Sequence, residues 1–252
     1  MKTSRRLAAI ALSIALAPTG LAVADTGSTA ATLPVCQHFY TGPIPNRPPS
    51  GGVGPSPEIG SVNVSGRLPA PGGVTGGLNA NGTVTFTFSR VGGAQAYRAF
   101  RNGQALQWID DWGQPTLQVT DSSPCQNANY QLLALGDKTG SAGLLGQIST
   151  AYRVDASNRL AAFRIPVGTR LSYTITSYND AGQTALGYNA GAGFCAVDAR
   201  NIPWGTRFYV PGYGHCFAAD IGSWIKGDIA DVWLSGTQAD NWGVQVRQLV
   251  VE

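Results

Sequence analysis

The sequence predicts an all-β protein of two domains, a β-sandwich followed by a small closed barrel of six strands. Three observations lead there. Of the 252 residues, 43% are hydrophobic and only 12% charged, enough apolar content for real cores and too little charge for a disordered polyelectrolyte. Thr, Val, Tyr, Trp and Gly are plentiful while Lys, Glu and Met are scarce, which favours strands and turns over helices. Short segments alternate apolar and polar residues with period two, and clusters of Gly, Asn and Asp separate them.

The chain opens with Lys2, Arg5 and Arg6, an apolar run from Leu7 to Leu16, and Ala22-Val23-Ala24 before Asp25. This is the layout of a secretory signal peptide over residues 1–24, and Ser4-Arg5-Arg6 leaves a twin-arginine signal open as the alternative. No later stretch reaches about 18 consecutive apolar residues, so no transmembrane segment is expected in the mature chain. The formal charge of +3 resides in the leader: without it 14 basic residues face 14 acidic ones. Attraction of nucleic acid by net charge is therefore excluded as a mechanism. Four cysteines in an exported chain, Cys36, Cys125, Cys195 and Cys216, imply disulfides. Of three possible pairings, Cys36–Cys125 with Cys195–Cys216 keeps each bridge within one apparent domain. A zinc site is the competing use, but there is no C-x-x-C spacing and only His38 and His215 are present, so neither metal nor cofactor is expected.

Residues 25–60 form an N-terminal segment whose part from Thr41 to Gly60 holds six Pro and five Gly in 20 residues. Such a stretch reads as an extended, semi-rigid linker. Residues 61–150 read as the sandwich. Gly82–Ser89 places Val84, Phe86 and Phe88 on one face and threonines on the other, and further strands are expected at Gln95–Phe100, Ala105–Ile109, Thr116–Thr120, Asn129–Leu135 and Leu144–Ser149. The run from Ala96 to Gly103, then Asp121 and Tyr130-Gln131-Leu132, resembles a fibronectin type III module, for which spacing or adhesion is the implied role. Residues 151–169 read as a connecting segment with one strand. In residues 170–252 strands are expected at Arg170–Tyr178, Gly193–Val197, Thr206–Val210, His215–Ala219, Ile229–Leu234 and Val244–Val251, with one helical turn near Gln238–Trp242.

Three stretches of this C-terminal part carry aspartates at fixed intervals: Cys195-Ala196-Val197-Asp198, then Ala219-Asp220-Ile221-Gly222-Ser223-Trp224-Ile225-Lys226-Gly227, then Ala230-Asp231-Val232-Trp233-Leu234. Ile202-Pro203-Trp204-Gly205-Thr206 and Tyr209-Val210-Pro211-Gly212-Tyr213-Gly214 lie between the first two, and Asn241-Trp242-Gly243 closes the series. The composite resembles the three-aspartate (3D) domain family over roughly Thr176 to Val251. The resemblance implies a double-psi β-barrel related to membrane-bound lytic transglycosylase A and, more distantly, to expansins. It implies peptidoglycan glycan strands as partner, an exported location, periplasmic or extracellular, and cleavage of the β-1,4 bond between MurNAc and GlcNAc. Carried over by position, Asp231 is the acid and then base, with Asp220 and Asp198 its companions. Lys226, Trp224, Thr184 and Tyr178 are candidate substrate-binding residues.

The chemistry is coherent with that set. A protonated carboxyl donates to the leaving oxygen and then, as carboxylate, deprotonates the sugar's own 6-hydroxyl for internal attack. No paired nucleophile of the ordinary glycosidase kind is needed. A second carboxylate nearby favours retention of the proton. Two departures stand beside the match. The family's "D-T-G-G" is Asp220-Ile221-Gly222-Ser223 here, and "T-A-T-G" is Thr184-Ala185-Leu186-Gly187, each exchanging a hydroxyl for an apolar side chain. Two alternatives of another class stay open: a non-catalytic, expansin-like wall-binding protein using the same groove, and an adhesion sandwich followed by a barrel that is a stabilised remnant. Oligomeric state is not legible.

Overall fold

In the computed structural model the described residues are 32–36, 54–65, 67–139 and 145–252. The expected signal peptide and most of the Pro/Gly-rich stretch lie outside them. The first lobe is a sandwich. One sheet holds β1 (Thr75–Leu78), β2 (Val84–Ser89) and β5 (Thr116–Asp121). The other runs β4 (Gln104–Asp110), β3 (Ala96–Arg101), β6 (Tyr130–Leu135), β8 (Ala151–Val154) and β9 (Leu160–Phe163), with β7 (Leu145–Ile148) also paired to β6. The alternation in β2 works as its sequence demands: Val84, Phe86 and Phe88 are buried, and the rings of Phe86 and Phe88 meet Tyr130 and Tyr97 edge-on across the sandwich. Residues 151–169, expected as a connector with one strand, instead supply two, which extend the second sheet by antiparallel pairing.

The second lobe is a closed six-stranded barrel, the double-psi architecture. Its strands are β10 (Arg170–Tyr178), β11 (Phe194–Val197), β12 (Arg207–Val210), β13 (Gly214–Asp220), β14 (Ile229–Trp233) and β15 (Gln245–Val251), with α1 (Thr237–Trp242) before the last. Around the barrel the order is β10-β14-β11-β13-β12-β15, with β10–β14 and β11–β13 parallel and the other pairs antiparallel. Disulfides join Cys36 to Cys125 in the sandwich lobe and Cys195 to Cys216 in the barrel.

The two lobes share a core, and β6 shows why. All six of its residues are buried, because both of its faces are covered. Tyr130, Leu132 and Ala134 face the sandwich core, while Leu133 and Leu135 join the cluster that fills the barrel. Gln131 lies on that second face and pairs with the barrel backbone, accepting from Trp204 N at 3.1 Å and donating to Trp204 O at 2.8 Å. Asn129 donates to the carbonyls of Ala199 and Arg200, and Arg153 holds Asn129 in place at 2.6 Å. At the β3–β4 turn, Asn102 and Gly103 both take positive φ, as a two-residue hairpin turn requires. A Cβ on Gly103 would stand 2.8 Å from the Ala199 Cβ, so the tip of the turn rests directly on the barrel. The segment before the sandwich is strapped to the barrel as well. Ile59 hydrogen-bonds on both sides to Tyr213 and His215, and Arg67 donates to Leu186 O and Gly187 O while its guanidinium covers the Tyr188 ring.

Candidate active-site cleft of the barrel

Strand register builds the site. Thr176 of β10 pairs with Asp231 of β14, Asp231 with Ala196 of β11, and Ala196 with Asp220 of β13. Paired residues point to the same side of a sheet, so Thr, Asp, Ala and Asp form one row across four strands. The last member depends on an irregularity. Between Cys195 and Ala196 the register of β11 against β13 slips, so that Ala196 meets Asp220 instead of Ala219. A one-residue slip exchanges faces, and here it brings Asp220 to the side of Asp231. The two aspartates are separated by two interstrand spacings, about 10 Å between backbones. Within that row Ala196 stands between them.

A cleft of about 570 Å³ opens over this row. Ala196, Asp220 and Asp231 line it together with Tyr178, Asp180 and Trp224, and neither Lys nor Arg does. Asp231 is buried, and the equally buried Thr176 donates its hydroxyl to Asp231 Oδ1 at 2.8 Å. Asp220 accepts two backbone N–H bonds on Oδ1, from Ala185 and Ile221, each at 2.9 Å. Burial nevertheless pushes the Asp220 carboxyl above its ordinary value; those two bonds oppose the shift and the charge of Asp180 adds to it. Tyr178, whose hydroxyl donates to Phe194 O at 3.2 Å, has its phenol pushed far up by burial and then by the charges of Asp220 and Asp231. Trp224 is half-buried on the cleft wall, a position suited to stacking on a sugar ring.

The other candidates sit elsewhere. Asp198 is buried at the end of β11 and ion-paired to Arg200; its Oδ1 accepts from Arg200 N and Nε, and its Oδ2 from Gly227 N at 2.7 Å. Burial pushes this carboxyl up, but the Arg200 and Gly227 bonds outweigh it and hold the group below its ordinary value. It is a satisfied structural ion. Thr184 is buried in its own turn, where its hydroxyl accepts from Tyr188 N at 3.1 Å. Lys226 donates to Gly222 O and Ile225 O and lines a separate cavity with Asp198. Trp204 and Trp242 are buried plugs. Residues of this site absent from the expectation include Thr176, which holds Asp231, and Ala196 and Asp180, which line the cleft. The signal for the first two lay in strand pairing, and Asp180 stands in the loop that follows β10. Among the described residues no group of three His, Cys, Asp or Glu side chains is placed to hold a metal ion.

Residues 194–251 match the family model described as the 3D domain. The C-terminal barrel is a 3D domain. Its cleft is thus formed by strands inside the matched segment and by β10, which precedes it. Among curated proteins, Cell wall-binding protein YocH of Bacillus subtilis (strain 168) is 39% identical over 106 residues, 40% of this chain and 37% of that protein. Putative cell wall shaping protein YabE of the same organism is 40% identical over 77 residues, 29% of this chain and 19% of that protein. The chain therefore spans well under half the length of either relative. No solved structure matches the chain significantly. No helix among the described residues is long and apolar enough to cross a membrane.

Proposed function

We propose that this is an exported, cell-wall-directed protein whose 3D domain cleaves peptidoglycan glycan strands as a lytic transglycosylase. The observation that carries the proposal is the convergence of Asp220 and Asp231 on one cleft, side by side with Ala196 between them. The wall-binding and wall-shaping names of the two relatives support the destination, and two disulfides support an oxidising, exported setting, periplasmic or extracellular.

In this mechanism a protonated Asp231 donates to the glycosidic oxygen as that bond breaks. The resulting carboxylate takes the proton of the 6-hydroxyl, whose oxygen closes on the anomeric carbon to give the 1,6-anhydro product. Asp231 ends protonated, ready for another turn. The Thr176 hydroxyl fixes the plane of the carboxyl through Oδ1. Asp220 and Asp180 keep the cleft negative, which favours the protonated form of a neighbouring acid and stabilises a developing oxocarbenium ion. Trp224 and Tyr178 supply the apolar and phenolic surface for a neutral sugar.

The test is mass spectrometry of peptidoglycan incubated with the mature protein. The proposal expects 1,6-anhydro-muropeptides. Binding without those products would favour the second reading, a non-catalytic wall-binding protein using the same cleft, which the relatives' names also support.

A further inference from the structure

A second cavity, of about 320 Å³, lies between the β3–β4 turn of the sandwich and the barrel. Ile221 lines both this cavity and the acidic cleft, so the two spaces adjoin across one side chain. Their charges are opposite. Arg101, Arg200 and Lys226 line the second cavity with a single carboxylate, Asp198, whereas three aspartates and no cation line the cleft. In a mature chain expected to be neutral, this is a local segregation of charge.

Internal pairing leaves one positive charge over. Arg200 is committed to Asp198, and Arg101 binds the buried Asp121 through Nη1. Lys226 makes no ion pair among the described residues. It is half-buried, with its Nζ held by the carbonyls of Gly222 at 2.8 Å and Ile225 at 3.3 Å. Those two bonds use two of three N–H donors and fix where the ammonium sits. The one carboxylate acting on it is Asp198, which is already ion-paired to Arg200 and makes no ion pair with the lysine, so the partly desolvated ammonium is under-compensated until a further anion arrives. Burial draws the lysine below its ordinary value, and the charge of Asp198 opposes that shift.

We propose that this cavity is an anion subsite, with Lys226 as its fixed charge, that takes a carboxylate of the peptide stem carried by the glycan in the cleft. The proposal rests on the peptidoglycan reading of the cleft and adds the part of the substrate that is read. Every second sugar of that polymer bears an acidic peptide amide-linked to the carboxyl of its lactyl ether, so a ring seated over Asp220 and Asp231 presents a carboxylate beside the sugar. The ridge between the two subsites is Ile221, 43% exposed, where the family pattern has Thr. Its Cγ2 lies 3.5 Å from where a Cβ of Gly103 would stand, so barrel and sandwich together close the far wall.

The experiment compares the wild-type mature protein with Lys226→Gln and Lys226→Arg on two substrates, glycan strands with stems intact and strands stripped of them by an amidase and then capped as the methylamide at the lactyl carboxyl that the amidase exposes. Direct titration with L-alanyl-D-glutamate as probe runs in parallel. The wild type is expected to favour intact strands about tenfold in KM, the Gln variant to lose that preference and the Arg variant to keep it. The dipeptide is expected to bind the wild type and the Arg variant and not the Gln variant. Equal KM on both substrates in the wild type, or dipeptide binding unaffected in the Gln variant, overturns the subsite. If neither strand is cleaved while the dipeptide binds in a Lys226-dependent way, the cleavage reading fails and the anion site stands.

Discussion

Asp198 and the Asp220–Asp231 pair belong to the same barrel and the same sequence signature, yet the structure treats them in opposite ways. Asp198 is buried and over-satisfied: a guanidinium and two backbone N–H groups hold it ionised. Asp220 is also withdrawn from water, but it receives two N–H bonds without a cation and faces other carboxylates, so burial prevails and its proton is retained more firmly. Burial alone therefore does not set the direction in which an aspartate's proton affinity moves. The presence of a counter-ion does.

That contrast yields opposed expectations for the same substitution at the two sites. Asp198→Asn leaves the Arg200 guanidinium without its partner and is expected to lower unfolding stability by about 3 kcal/mol, read by denaturant titration. A carboxyl held below its unfolded value stabilises the fold above that value and ceases to do so as pH falls through the lower, folded one. The wild type is thus expected to weaken on acidification below about pH 4, and the Asn variant to show a flatter profile there. Asp220→Asn is expected to do the reverse. A carboxyl held above its unfolded value opposes folding once pH rises past it, so removing its ionisation should raise stability at neutral pH. The same change should reduce glycan cleavage about 100-fold, because the cleft loses a carboxylate next to the acid. A loss of stability in both variants would erase the distinction.

Thr176→Val sharpens the comparison at smaller scale. Removing the hydroxyl that donates to Asp231 Oδ1 is expected to cost about 1 kcal/mol. Because that bond fixes the plane of the Asp231 carboxyl, its loss should lower the rate of product formation while leaving binding of the glycan unchanged. An unchanged rate would mean that Thr176 only fills space.

Much of the strand content was legible because period-two alternation is a local signal. β10 has the residue limits expected of it, and the remaining barrel strands fall within one residue of theirs at each end. β1 was not legible, since its core is Gly76-Gly77, which reads as a turn. A Cβ at Gly76 would stand 2.2 Å from Thr85 O, so close backbone approach, rather than propensity, selects glycine there. The shared core was missed for a related reason. Tyr130-Gln131-Leu132-Leu133-Ala134-Leu135 reads as one strand of a sandwich, and only tertiary structure shows that its second face belongs to the barrel. At the site, intervals of 22 and 11 residues pointed to three aspartates, and register brought two of them together. The Arg200 that withdraws Asp198 stands only two residues away, a local signal available in the sequence. Asp180 and Ala196 had none, because their roles come from the cleft wall and from a register slip.

The most direct test of the account is Asp231→Asn in the intact mature protein, with 1,6-anhydro products and peptidoglycan binding measured on the same preparation. Products are expected to fall below detection while binding and the unfolding transition persist. Products at the wild-type rate in a folded Asn variant would contradict it.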